Sequence, residues 1–171
     1  MDERSAPDEV APSPVCRAFL RKLGRTPDGM KRQRILAACV KVRRPWSEEL
    51  LWETLADPNE LVRDLVVRAL CGRPALRVEW AVRRLRLPPW YARSSALSVI
   101  GRQRLREALA GIEESVGDSN VDVRRAAAEA LGEIGGDAAV RLLVRLRKDA
   151  NPYVRAAAEE AISKASGVRI T

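Results

Sequence analysis

The chain contains no histidine. Histidine is the side chain that ordinarily titrates near neutral pH. Its absence excludes imidazole acid–base catalysis, Ser–His and Cys–His nucleophile pairs, and every histidine-bearing metal site. Cysteine is scarce: Cys16, Cys39 and Cys71 form an odd set without Cys-x-x-Cys spacing, each among helical apolar residues. That pattern reads as small core hydrophobes in a reducing, cytoplasmic compartment. Aromatic residues make up 4% of the chain, so Ala, Val, Leu and Ile must fill the core, which suits thin helices packed closely. No apolar run approaches the ~20 residues of a membrane span, and no membrane association is expected. Residues 1–13 carry Asp2, Glu3, Asp8 and Glu9 against a single Arg4 and lack an apolar stretch. They resemble neither a signal nor a transit peptide, and are expected to form a disordered acidic tail before a folded domain at 14–171.

What the chain has in quantity is charge, and it is unevenly spread. The net charge is +8. Residues 17–44 hold ten basic side chains against one acidic, and residues 73–106 hold nine against one. The intervening 45–72 is acidic. Two basic blocks point to an acidic partner surface or to nucleic acid, although arginine-rich solvated faces produce the same composition.

The chain also has a repeat. Asp57-Pro58-Asn59-Glu60-Leu61-Val62-Arg63, Asp118-Ser119-Asn120-Val121-Asp122-Val123-Arg124 and Asp149-Ala150-Asn151-Pro152-Tyr153-Val154-Arg155 share the pattern Asp-x-Asn-x-x-Val-Arg. The arginines stand 61 and 31 residues apart, and half of 61 predicts a further copy near residue 93. Leu87 to Arg93 fills it, with the arginine kept and leucine in place of aspartate. One step back from Arg63, Thr26 to Arg32 forms a weaker first copy. A period of 30–31 residues over five positions marks a repeat architecture.

After each arginine comes an apolar stripe. Ala127, Ala130, Leu131 and Ile134 have the spacing of an amphipathic helix, and the other copies hold apolar residues at the matching positions. Upstream of the later copies lie second helical segments at 48–56, 76–87, 105–116 and 138–148. Gly24, Gly72, Gly101 and Gly135-Gly136 are expected to end helices. Asn59 (or Asp57), Asn120 and Asn151 are positioned to cap helix N-termini, and Pro58 and Pro152 suit a first turn. The spacing therefore predicts an all-α α-solenoid of about five helical hairpins. Its second helices should fall near 30–42, 58–71, 89–100, 121–134 and 152–165.

A two-helix unit with aspartate in its inner turn and Val-Arg early in its second helix resembles the HEAT repeat. The run Val-Arg-x-Ala-Ala-x-x-Ala-Leu-Gly-x-Ile-Gly from Val123 to Gly135 is similar to the bacterial HEAT-like class named after phycobilin lyases. The likeness spans about residues 14–165. It implies a HEAT-like superhelix with a structural ladder of turn aspartates and helix arginines, carried here by Asp57, Arg63, Arg93, Asp118, Arg124, Asp149 and Arg155. Leu87 cannot join, which interrupts the ladder at the third unit.

The resemblance implies a non-enzymatic scaffold or adaptor that holds a protein or peptide partner, acidic in character, on its concave face, without a cofactor. HEAT-like di-iron hydroxylases bind metal through His-Glu pairs, which this chain cannot supply. The alternative is nucleic-acid binding through the basic blocks 17–44 and 73–106, where arginines lie near Trp90 and Tyr91. The candidate partner-binding residues under either reading are Arg32, Arg34, Lys41, Trp90, Tyr91, Arg102 and Arg104. Trp46, Trp52 and Trp80 lie on or beside first helices, where inter-helix packing is their expected role. The sequence does not fix an oligomeric state.

Overall fold

The computed structural model describes residues 12–165. Residues 1–11 and 166–171, and with them most of the expected acidic tail, lie outside the described residues. Among the described residues there are ten α-helices and no strand: α1 (Pro14–Gly24), α2 (Gly29–Val40), α3 (Pro45–Thr54), α4 (Glu60–Cys71), α5 (Val78–Arg86), α6 (Trp90–Arg102), α7 (Leu109–Val116), α8 (Val121–Ile134), α9 (Asp137–Leu146) and α10 (Pro152–Ala165). A short 3-10 turn, Arg106–Ala108, leads into α7.

Local chemistry sets the helix starts. The Ser13 hydroxyl accepts from the Cys16 amide, and the Asp28 carboxylate accepts from Met30 at 2.8 Å. Asn59 and Asn120 cap α4 and α8 in the same way. Proline occupies an early position in α1 and α3. The α8 helix is stopped by Gly135 and Gly136, at φ 65° and 86°, a left-handed region that L side chains rarely adopt.

The helices alternate between two layers. α1, α3, α5, α7 and α9 pack in sequence to form one layer, and α2, α4, α6, α8 and α10 pack in sequence to form the other. The core is the seam between layers, where Leu50, Leu70, Leu97, Ile112, Leu131 and Leu143 are fully buried. Each such side chain contributes roughly 1.5–3 kcal/mol. Trp52 and Trp80 are buried in this seam, and Trp46 stacks on Phe19 with ring centroids 5.2 Å apart. The α3 helix is held on both sides through buried carboxylates. Glu49 accepts from the Ser13 amide at 2.9 Å, and Glu48 accepts from the Arg77 amide at 2.7 Å.

Gly101 is the last residue but one of α6, at a helix end as expected, and it is also buried there. A Cβ at this position would meet the Ala130 Cα at 2.8 Å, and one at Gly132 would meet the Ala161 Cβ at 2.8 Å. These glycines let α6, α8 and α10 approach closely, and α8 packs most extensively against those two neighbours. Val40 and Cys71 stand at the corresponding places of the first two units.

Candidate functional site

The conserved-length turns inside the hairpins are built by one set of contacts. Asp118 Oδ1 accepts from the Asn120 amide at 2.8 Å, and Asn120 Oδ1 accepts from the Asp122 amide at 2.9 Å. Arg124 Nη1 donates back to the Asp118 carbonyl at 2.7 Å. The same guanidinium reaches forward to the next unit and donates to both oxygens of Asp149, at 2.7 and 3.1 Å. Arg93 holds Asp118 at 2.7 and 2.9 Å, and Arg32 holds Asp57 at 2.7 and 2.8 Å. Hydrogen bonds from Arg124 and the Asn151 amide keep the Asp149 carboxyl below the usual carboxylate range despite its burial.

Three sequence expectations change here. Arg32, taken as a candidate for partner binding, is only 9% exposed and engaged with Asp57. Arg63 has no carboxylate partner among the described residues, because Leu87 stands where the next aspartate belongs. It donates to its own turn at Asp57 and Pro58, both at 2.9 Å, and its guanidinium lies 4.6 Å over the Tyr91 ring. The interruption thus falls on Arg63 of the second unit, while Arg93 of the third keeps its aspartate. Among the described residues Arg155 likewise bonds only its own turn, at the Asp149 and Ala150 carbonyls.

The outward surface of the second-helix layer is the concave side in solenoids of this kind. Between α6, α8 and α10 it forms an open depression of about 330 Å³, with Gly101, Ala130, Gly132 and Ala161 at the helix contacts and Arg102, Glu129, Glu133 and Glu160 around them. A second depression of about 350 Å³ lies between α4 and α6, lined by Asp64, Arg68, Ser94, Ser95, Ser98 and Arg102. The small residues make these grooves shallow, so ionic side chains give the face its character. Among the described residues no group of three or more Asp, Glu or Cys stands close enough to hold a metal ion.

The aromatic pair and the basic residues of the second block are separated. Trp90 is 43% exposed and meets the half-buried Tyr91 edge-on at 5.7 Å, at the start of α6. Arg102 and Arg104 lie at the other end of the same helix, about 18 Å away by helical rise. Tyr91 is engaged beneath Arg63, which leaves Trp90 as the open aromatic of the pair. Arg83, Arg84 and Arg86 are paired in the outer layer, the first two with Glu53 and the third with Glu114.

Part of both basic blocks meets along one edge, formed by the turns between hairpins, while Arg17, Arg21, Lys22, Arg25, Lys31 and Arg34 stay on the first hairpin. Lys41, Arg43 and Arg44 follow α2, Arg73 and Arg77 lie between α4 and α5, and Arg102 ends α6 with Arg104 and Arg106 after it. Hydrogen bonds hold these turns side by side. Arg73 Nη2 donates to the Val42 carbonyl at 3.1 Å and to Ser47 Oγ at 3.0 Å, while the Gln103 amide reaches the Cys71 and Arg73 carbonyls. A signal for this edge was present in the sequence as a second arginine series, at 43, 73 and 104, with the same 30–31-residue period. Arg34 is exposed on α2.

A two-layered stack of sequential helical hairpins, tied by repeated Arg–Asp contacts, defines a helical repeat solenoid. The sequence profile of HEAT repeats matches residues 78–163, and the chain belongs to the HEAT repeat family. Among solved structures it is similar to the complex of CpcE and CpcF of phycocyanin lyase from Nostoc sp. PCC7120. The TM-score is 0.59 at 22% identity, covering 98% of this chain and 71% of that one. It is also similar to a designed armadillo repeat protein in complex with the peptide (KR)4, with TM-score 0.49, 18% identity, and 89% and 82% covered. These are likenesses of fold. A search of the curated proteins finds no match. Among the described residues no helix is long and apolar enough to cross a membrane.

Proposed function

We propose that this protein is a non-enzymatic, cytoplasmic interaction scaffold whose folded repeat domain, starting at residue 14, holds a protein or peptide partner on its second-helix face. The observation that carries the reading is the ordering of exposed charge along that face. Arg34 and Lys41 on and just after α2, Arg68 on α4 and Arg102 on α6 outnumber Asp64 in its first part, while over α8 and α10 Glu129, Glu133 and Glu160 outnumber Lys164, which pairs with Glu133. A partner of matching polarity, acidic toward the first helices and basic toward the last, would meet opposite charge along the face. Such matching favours specificity and encounter rate more than affinity.

A photo-crosslinking residue placed at Ser98, in the centre of this face, should capture a partner that Ser98→Trp in the unmodified chain fails to retain. The same crosslinker at Arg141, on the outer helix α9, should capture none. Capture at Arg141 alone, or a partner indifferent to Ser98→Trp, would count against this face.

A second reading has one observation in its favour, the meeting of part of both basic blocks on the edge of inter-hairpin turns. A nucleic-acid backbone laid along that edge would find cations from three successive units.

A further inference from the structure

The basic edge contains a depression of about 260 Å³ between the α2–α3 and α4–α5 turns, lined by Arg43, Arg44, Pro45, Glu48, Arg73, Pro74, Ala75 and Arg77. Four guanidinium groups therefore face one carboxylate. That carboxylate is already engaged, since Glu48 Oε1 accepts from the Arg77 amide at 2.7 Å and from Trp52 Nε1 at 3.3 Å. Arg73 is 7% exposed, and its buried Nε has no hydrogen-bond partner among the described residues. An orphaned guanidinium donor in such a place is costly unless something polar meets it. Burial pulls Arg73 below the usual arginine value, the neighbouring Arg43 lowers it further, and Glu48 opposes both. The N-termini of α3 and α5, helices of 10 and 9 residues, open on the same rim, and neither has a side-chain cap. Pro45 has no amide hydrogen and the Ser47, Arg77 and Trp80 amides are already bonded, so these ends contribute only the partial positive charge of the helix dipole.

We propose that this depression is a binding site for one phosphate-sized oxyanion. Arg73 forms the buried anchor, and Arg43, Arg44 and Arg77 close over the ion from the exposed rim. Bidentate guanidinium contacts suit a tetrahedral oxyanion better than chloride, which offers neither oxygen pairs nor matching spacing. The ion would also relieve the repulsion between Arg43 and Arg73. The chemistry is shared by free phosphate and by a phosphate monoester on a larger molecule. The site is separate from the second-helix face and stands without the scaffold reading.

The test is titration of the full chain with inorganic phosphate and with phenyl phosphate, in ~150 mM chloride. Saturable one-to-one binding with Kd of about 1 mM or tighter is expected for inorganic phosphate. Comparable phenyl phosphate affinity identifies a presented monoester as the fitting source, and its absence identifies the free ion; either supports the site. The double variant Arg43→Gln/Arg77→Gln alters only exposed side chains and leaves the Arg77 amide bond to Glu48 intact. It should weaken binding by about tenfold or more. The control Arg141→Gln/Arg147→Gln removes the same charge from the outer α9 region and should bind as wild type. Equal weakening in both variants would reduce the effect to net charge, and unsaturable binding in the wild type would overturn the site outright.

Discussion

Leu131 and Arg125 lie less than two turns apart on α8 and face opposite media. Leu131 is fully buried against both layers, so Leu131→Ala should destabilise by ~2–5 kcal/mol through lost burial and a residual cavity. Arg125 is exposed, and its pair with Glu129 at 2.8 Å is an exposed surface contact. Arg125→Ala should change stability by no more than ~0.5 kcal/mol, and denaturant melts of the two variants decide the point. The ladder gives a prediction in pH. Asp149 titrates lower when folded, so its stabilisation is fully present above the unfolded value of about 3.9 and disappears as pH falls through the folded value. Asp149→Asn should therefore be less stable than wild type at pH 7 by about 1–2 kcal/mol, with the two melts converging as the pH falls well below the unfolded value. A gap that persists in acid would assign the loss to turn geometry instead of charge. These residues were legible because each repeats. Arg63 was not, since its fate depends on Leu87 and Tyr91 from the next unit, and no periodicity announces a ring beneath a guanidinium.

Glycine shows what an element-scale reading misses. Gly101 and Gly24 look alike in sequence, each near the end of an apolar run, yet no atom lies within 4 Å of a Cβ built at Gly24, whereas Gly101 abuts the next second helix. Gly132 is the sharper case, because its missing Cβ would strike both the Cα and the Cβ of Ala161, at 3.1 and 2.8 Å. Gly132→Ala must push α8 from α10 and should cost ~1–3 kcal/mol. Gly24→Ala, with open space and a helical setting, should stabilise by up to ~1 kcal/mol. Thermal melts showing the same sign for both would mean that the close helix approach does not constrain position 132. The second helices themselves were expected within about two residues of their observed ends, since caps and apolar period act within a single segment. The depth at which neighbouring helices meet is a property of two segments, and the pairings of Gly101 with Ala130 and of Gly132 with Ala161 reveal it.

At the scale of the whole molecule, the question is where +8 of net charge goes. The sequence showed two basic blocks, but stacking redistributes them. Arg32 and Arg93 enter the ladder, and Arg83, Arg84 and Arg86 pair across the outer layer. Arg43, Arg44, Arg73, Arg77, Arg104 and Arg106 align along one edge, a convergence fixed by the order in which hairpins stack and not by any single segment. This edge lets the scaffold and nucleic-acid readings be separated by one variant. Arg34, Lys41, Arg102 and Arg104 are exposed, and none has a carboxylate partner among the described residues. Changing all four to Glu should leave the helical signal and melting temperature nearly unchanged. If the protein binds a nucleic-acid backbone, the wild type should saturate a defined oligonucleotide near physiological salt. Its affinity should then fall with a log–log salt slope of roughly −0.9 per phosphate neutralised on duplex DNA, and the four-Glu variant should not bind. The scaffold reading expects the wild type to show only weak, salt-labile, sequence-indifferent association, which a basic edge produces by charge alone. Tight, saturable binding abolished in the variant would therefore displace the scaffold reading and assign nucleic-acid binding to these four exposed basic side chains.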